Sequence, residues 1–392
     1  MEAIVRDAIN QASSREDKKK EELARRITGS AAREGATSDE ELVKIVEGIR
    51  TAIKVVGTGG AGGNTVDRIM EMGIEGGDVI AVNTDALDLL YTNSPTKVLI
   101  GTTISGGIGA GADPEVGEQC AEADIKKLSE VLTGADMVFI TCGLGGGTGT
   151  GSAPVIAEVA RDMNALTIGV VTLPFSVEGK VRARNAFLGL KKLRKKADTV
   201  IVIPNDKLME IAPNLPLNAA FKVADELLAN AVKGITEMIT KPGLVNLDFA
   251  DLKTIMKTGG TAMIGLGASG KDTPMDKRAA ESVEKAMQSP LLDTDLSTAT
   301  GALINIIGSR DMTLEESEQI VRIVSETISP EAQIIWGAQI DDALERNVIK
   351  TLVILSGVKT PQYETGLEEK FEEGLGPEVE SQLQGDIGLR YV

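Results

Sequence analysis

The run Gly145-Gly146-Gly147-Thr148-Gly149-Thr150-Gly151 decides how this chain is read. Glycine costs backbone entropy wherever it stands, so a run this dense serves places where backbone N–H groups closely approach a ligand and φ turns positive. Upstream, Asp136-Met137-Val138-Phe139-Ile140-Thr141 is a short apolar run of strand type. Downstream, Pro154-Val155-Ile156-Ala157-Glu158-Val159-Ala160 has helical spacing. Strand, glycine loop and helix N-terminus together predict an anion site, with phosphate as its occupant.

The same grammar extends in both directions. Apolar runs near Ile53–Val56, Val79–Val82, Val98–Ile100, Thr167–Thr172 and Thr199–Ile203 alternate with glycine turns and helical stretches, which predicts a mainly parallel sheet covered by helices. The longest helical stretch, Leu217–Thr240, places Phe221, Leu228, Val232, Ile235 and Ile239 at helical spacing and stops at Lys241-Pro242-Gly243. Beyond it, strands are expected at Thr261–Leu266, Ala302–Ile307, Ile334–Trp336 and Leu352–Leu355, with helices at Asp276–Met287 and Leu314–Ile328. A mixed sheet is expected there, because the last two strands have no long helix between them. The expected divisions are a charged extension (1–50), a first α/β domain (51–216), a connecting helix (217–240), a smaller α/β domain (241–358) and an acidic, mostly disordered tail (359–392).

The chain has 392 residues, 42% of them hydrophobic, enough for two cores. Its 41 basic and 58 acidic residues give a net charge of -17, which argues against general binding to nucleic acid or anionic membranes. No apolar stretch reaches the length of a membrane span and Met1–Asn10 lacks a signal-peptide core, so a cytoplasmic protein without direct membrane insertion is expected. Histidine is absent, which removes Ser-His and Cys-His triads, histidine zinc sites and histidine general bases. Cys120 and Cys142 lack metal-ligand spacing and read as reduced thiols.

A second glycine loop, Gly57-Thr58-Gly59-Gly60-Ala61-Gly62-Gly63-Asn64, follows the strand ending at Val56. Alone it satisfies G-x-G-x-x-G, and Asp78 stands near the distance of a ribose-binding acid, so a dinucleotide oxidoreductase competes. The Gly145–Gly151 loop is not required by that fold, and two loops at one sheet edge suit different phosphates of one polyphosphate. No P-loop pattern is present. A third loop, Gly107-Ile108-Gly109-Ala110-Gly111-Ala112-Asp113-Pro114, is a further candidate for phosphate contact. Glu178 and Arg182, spaced i, i+4, form either a solvent-exposed helical pair or a ribose and phosphate contact. Asn205 and Asp225 are candidate readers of a purine edge, whereas Phe221, on the helical face of Asp225, reads as core before any other information. Asp248 and Asp251, spaced i, i+3, suit a helix N-cap and a group that polarises water or helps hold a cation.

Together these residues resemble the FtsZ family, tubulin-like GTPases that assemble into filaments at the division site. The resemblance covers about Ile53 to Val358 and rests on Gly145–Gly151, Asn83-Thr84-Asp85, Ile203-Pro204-Asn205-Asp206 and Asn246–Asp251. It implies a Rossmann-like parallel-sheet GTPase domain joined by a long central helix to a smaller domain with a mixed sheet. By the same resemblance, Gly60, Ala61, Gly62, Gly63, Asn64, Gly147, Thr148 and Gly149 hold phosphates, Glu178 the ribose and Arg182 the nucleotide. Asn205 and Asp225 take the guanine edge, and Phe221 stacks on its face. Asn246, Asp248 and Asp251 are implied to act on the nucleotide of a neighbouring subunit, with GTP hydrolysed to GDP, Mg²⁺ bridging phosphates, and a head-to-tail polymer of the chain itself at the mid-cell ring. The charged N-terminal extension, the short acidic tail and Trp336-Gly337-Ala338 look more like archaeal members. No long linker with a bacterial partner peptide is evident, and Gly385–Val392 is a candidate docking segment for a membrane anchor.

Overall fold

The computed structural model describes residues 51–211, 216–241, 243–245, 247–257, 260–292, 294–342 and 344–358. The expectations for the extension (1–50), the tail (359–392), Pro242 and Asn246 lie outside the described residues. In chain order the elements begin with β1 (Ile53–Thr58), α1 (Gly59–Met72), β2 (Gly77–Asn83), α2 (Ala86–Tyr91), β3 (Thr96–Leu99), α3 (Thr102–Ser105), α4 (Pro114–Ala123) and α5 (Ile125–Leu132). They continue with β4 (Met137–Gly143), α6 (Thr148–Asp162), β5 (Leu166–Leu173), α7 (Lys180–Lys196), β6 (Thr199–Pro204), α8 (Asn205–Ile211) and α9 (Leu217–Thr240). The remainder is α10 (Phe249–Met256), β7 (Thr261–Ala268), α11 (Met275–Met287), β8 (Gly301–Gly308), α12 (Leu314–Thr327), β9 (Gln333–Ile340) and β10 (Ile349–Ser356).

The strands form one ten-stranded sheet in the order β3-β2-β1-β4-β5-β6-β7-β10-β8-β9. Pairing is parallel from β3 across to β7. Strand β10 runs antiparallel to both β7 and β8, and β8 pairs parallel with β9. The second half is therefore mixed, as expected, but β9 and β10 are not neighbours: β10 crosses back and inserts between β7 and β8. Met137–Cys142 are buried at every position because helices cover both faces of the parallel half. One core lies under α1 and α9, a second under α4 to α7, and a third under α11 and α12.

Helix α9 spans 24 residues, about 36 Å at 1.5 Å per residue. It is tied to α1 at two levels. Arg68 meets Glu226 at 3.3 Å, and the Lys233 Nζ donates to the Met72 and Gly73 carbonyls that end α1. Farther along the sheet, the wholly buried Arg278 on α11 donates from Nε to Glu316 at 2.5 Å and from Nη1 to Asp311 at 2.7 Å. It also donates to Asn347 Oδ1 at 3.3 Å, joining α11, α12 and the segment before β10.

Candidate functional site

The carboxyl ends of β1, β4, β5 and β6 open on a cavity of about 330 Å³, the place where doubly wound sheets bind ligands. On one side the two glycine loops touch. Gly59 has φ +71°, and a Cβ there would lie 2.8 Å from the Gly149 nitrogen, so neither loop tolerates a side chain at that crossing. Hydroxyls brace the loops from behind. Ser152 Oγ donates to the Thr148 carbonyl at 2.7 Å and therefore accepts from Thr58 Oγ1, 2.6 Å away. Thr148 Oγ1 is 2.6 Å from Thr84 Oγ1, which links the glycine loop to the Asn83-Thr84-Asp85 turn. Gly60, Ala61, Asn64, Gly147, Thr148 and Gly149 all line the cavity.

The opposite side is built from α7, α8 and α9. Asn205 is 5% exposed and its Oδ1 is buried without a partner, an acceptor that a ligand N–H completes. Burial pushes the Asp225 carboxyl up to about 7, nearby Asp67 adds to the shift, and the Thr65 hydroxyl opposes it. Phe221 is 40% exposed and lines the cavity, its ring at 88° to that of Phe175. The core reading of Phe221 is thus corrected: its side of α9 borders the cavity, while Ala220 and Ala224 in the same turns are buried. Glu178, in the turn before α7, and Arg182, in its first turn, form the i, i+4 pair at 2.5 Å, and both line the cavity.

Several expected contacts fall elsewhere. Gly62 and Gly63 are buried and do not line the cavity; their small size serves packing, since a Cβ at Gly62 would lie 2.6 Å from the Thr141 carbonyl and one at Gly63 would lie 3.1 Å from Thr92 Oγ1. The Gly107–Pro114 loop backs the site without lining it: a Cβ at Gly147 would meet Ala110 and Asp113 at 2.9 Å. Asp78 stands at the start of β2, paired with Lys54, on the edge of the sheet away from the cavity, which removes the ribose acid of the dinucleotide reading. Cys120 and Cys142 are free and buried, and burial pushes the Cys142 thiol up to about 12. Thr58, Leu144, Thr172, Pro174 and Ala224 also line the cavity. None carries a charge; Thr58 belongs to the first glycine loop, Leu144, Thr172 and Pro174 could have been flagged by their position at strand ends, and Ala224 by its place one residue before Asp225 on α9.

Asp248 and Asp251 are not at the cavity of their own chain. Asp248 caps α10, its Oδ1 accepting the Ala250 N–H at 3.0 Å, and Asp251 follows in the first turn; both are exposed. The cavity meets α9 at Phe221 and Asp225, and α10 follows its far end, about 22 Å along the axis from Asp225 to Thr240.

Comparison with known proteins adds a second line. The Tubulin/FtsZ family GTPase domain matches residues 52–213, and the FtsZ family C-terminal domain matches residues 260–359. The cell division protein FtsZ of Methanothermobacter thermautotrophicus is 57% identical over 358 residues, 91% of this chain and 90% of that protein. The chain belongs to the FtsZ family. FtsZ 1 of Thermococcus kodakarensis is 51% identical over 98% of both chains. Among solved structures, an empty FtsZ dimer from M. jannaschii superposes with a TM-score of 0.77 at 52% identity, covering 82% of this chain and 92% of that one. A GTPγS-bound CetZ2 protofilament from Haloferax volcanii gives 0.70 at 25% identity, covering 85% of this chain and all of that one. As a family member the chain carries a tubulin-like GTPase domain that binds guanine nucleotide.

Proposed function

We propose that the chain is the filament-forming GTPase of a cell-division ring, and that its active site is completed only between subunits. The observation that carries this reading is the separation of the cavity from Asp248 and Asp251, which follow the far end of the central helix about 22 Å along its axis from Asp225. One chain offers a nucleotide seat without a water-activating acid and, elsewhere, exposed acids without a nucleotide. Head-to-tail stacking brings the two halves together. The relatives solved as a dimer and as a nucleotide-bound protofilament support self-association of this kind.

In this reading residues 51–216 seat GTP, 217–240 connect, and 241–358 carry the catalytic loop. The Gly60–Asn64 and Gly147–Gly149 loops cradle phosphates through backbone N–H groups, with Gly62 and Gly63 shaping the first loop from within. Glu178 accepts from the ribose, Arg182 balances phosphate charge, Asn205 and Asp225 read the guanine edge and Phe221 covers its face. Asn246, Asp248 and Asp251 of the next subunit orient the attacking water, and an aspartate carboxylate takes its proton as the γ-phosphoryl group passes to that water and GDP leaves. Among the described residues no group of three or more acidic or cysteine side chains is placed to hold a metal. A Mg²⁺ ion would accordingly be held mainly by the nucleotide phosphates, and would supply charge neutralisation there when bound. No helix among the described residues is long and apolar enough to cross a membrane, and we assign Gly385–Val392 as the segment that meets a membrane anchor at mid-cell.

The test is phosphate release from GTP against protein concentration, with sedimentation in parallel. Activity per subunit is expected to rise from near zero above a critical concentration, and Asp248→Ala to abolish turnover while GDP affinity changes less than about twofold. Equal activity per subunit in a dilute, monomeric sample would sink the interface site.

A further inference from the structure

Resting on the guanine-site reading, we infer that Asp206 and Phe175 are positioning residues that hold the base seat closed around the nucleotide. Neither lines the cavity. The loop between β5 and α7 passes over the base side and is fastened at Ser176. The Ser176 N–H donates to Asp206 Oδ1 at 2.9 Å, and Ser176 Oγ donates to Oδ2 at 2.5 Å, so one serine takes both carboxylate oxygens. Asp206 directly follows Asn205 at the start of α8, so this clasp ties the base-reading turn to the loop that carries Glu178.

The residue before the clasp acts on the opposite wall. Phe175 is 3% exposed, and its N–H donates to Glu178 Oε1 at 2.8 Å. Its ring packs T-shaped against the Phe221 ring, with centroids 5.2 Å apart and planes at 88°. That T-shaped contact restrains the Phe221 ring, which is 40% exposed and lines the cavity. The chain of contacts runs from Asp206 through Ser176 and Phe175 to Phe221. A base leaving the seat must part it from Phe221, so the clasp controls how long nucleotide stays more than how fast phosphate is cleaved.

An alternative duty for Asp206 is simple: an acid in the first turn of α8 favours the helix dipole. Ser176→Ala separates the two roles, since it loosens the clasp and leaves the Asp206 charge in place. The experiment loads the full-length chain with radiolabelled GDP, chases with unlabelled GDP and follows retention on filters. Ser176→Ala, Asp206→Ala and Phe175→Leu are each expected to raise the dissociation rate about tenfold, the loss of one charge-assisted or ring contact. The Ser176→Ala/Asp206→Ala double variant is expected to be no faster than the faster single variant, because both remove one interaction. Ser176→Thr, which keeps the hydroxyl, is expected to restore retention. GTPase kcat per assembled subunit is expected to stay within about twofold while KM rises. Unchanged dissociation in Ser176→Ala, or additive losses in the double variant, overturns the clasp. A parent chain that retains no GDP overturns the guanine-site reading instead.

Discussion

Asp225 concentrates the electrostatics of the site in one carboxyl group. Burial raises it to about 7, so near neutral pH the empty cavity holds it half protonated. Guanine presents N–H donors on its edge, and only the carboxylate can accept from them on both oxygens. Binding therefore selects the ionised form. Because the pKa is raised, affinity is full above it and falls as the pH drops through it. GDP is expected to bind about tenfold more weakly at pH 6 than at pH 8, measured by equilibrium dialysis, following from a pKa of about 7. Asp225→Asn is expected to bind weakly at both pH values with the slope gone; a slope that survives the substitution assigns the titration to another group. Residue-scale reading of the sequence was uneven here. Charged groups such as Glu178 and Arg182 declare themselves, whereas Phe221 looked like core because helical spacing cannot tell a sheet-facing ring from one that overhangs the sheet edge.

At the scale of elements, the buried Arg278 holds α11 and α12 to the segment before β10. Burial pushes the Glu316 carboxyl up, but the Arg278 guanidinium and the Thr313 backbone outweigh it and hold Glu316 below its ordinary value of 4.5. A depressed carboxyl contributes stability that is present above its unfolded pKa and lost as pH falls through the folded one. Thermal stability is thus expected to drop on acidification below about pH 4.5, the ordinary value. Arg278→Met leaves Glu316 and Asp311 without their cation and is expected to cost about 3–5 kcal/mol, read by urea denaturation. The Glu316 share of the pH dependence is expected to shrink, because the guanidinium that most lowers this carboxyl is gone. The element pattern itself was legible, since apolar runs bounded by glycine turns are local marks, and α9 begins and ends where its spacing and stop signal put it. The return of β10 between β7 and β8 leaves no local mark, because an antiparallel neighbour is chosen by distant pairing and not by the residues of the strand.

For the whole molecule, the proposed interface site, with its acids beyond about 22 Å of central helix from the cavity, would make activity a property of the assembly. A variant crippled in the phosphate loop, such as Gly147→Trp, still presents Asp248 and Asp251, while Asp248→Ala still seats GTP. Each is expected to be inactive alone, and a one-to-one mixture to recover about a quarter of the parent's rate, the share of random contacts that join an intact cavity to intact acids. Phosphate release from mixtures at fixed total protein checks this, and no recovery at any ratio would argue that both halves belong to one subunit. The sequence could not reveal this arrangement from spacing alone, because residues that meet across an interface share no periodicity. The proposal of such an arrangement rests on resemblance.

The placement of β10 also bears on how the chain is made. β7 and β8 are joined in the sheet only through the last described strand, so until residues 349–356 leave the ribosome the two have open facing edges. The parallel half can close during synthesis, strand after strand. The remainder waits for the final strand, and a transcript cut short before Ile349 yields a finished nucleotide seat attached to a half that offers its unpaired edges to any passing chain.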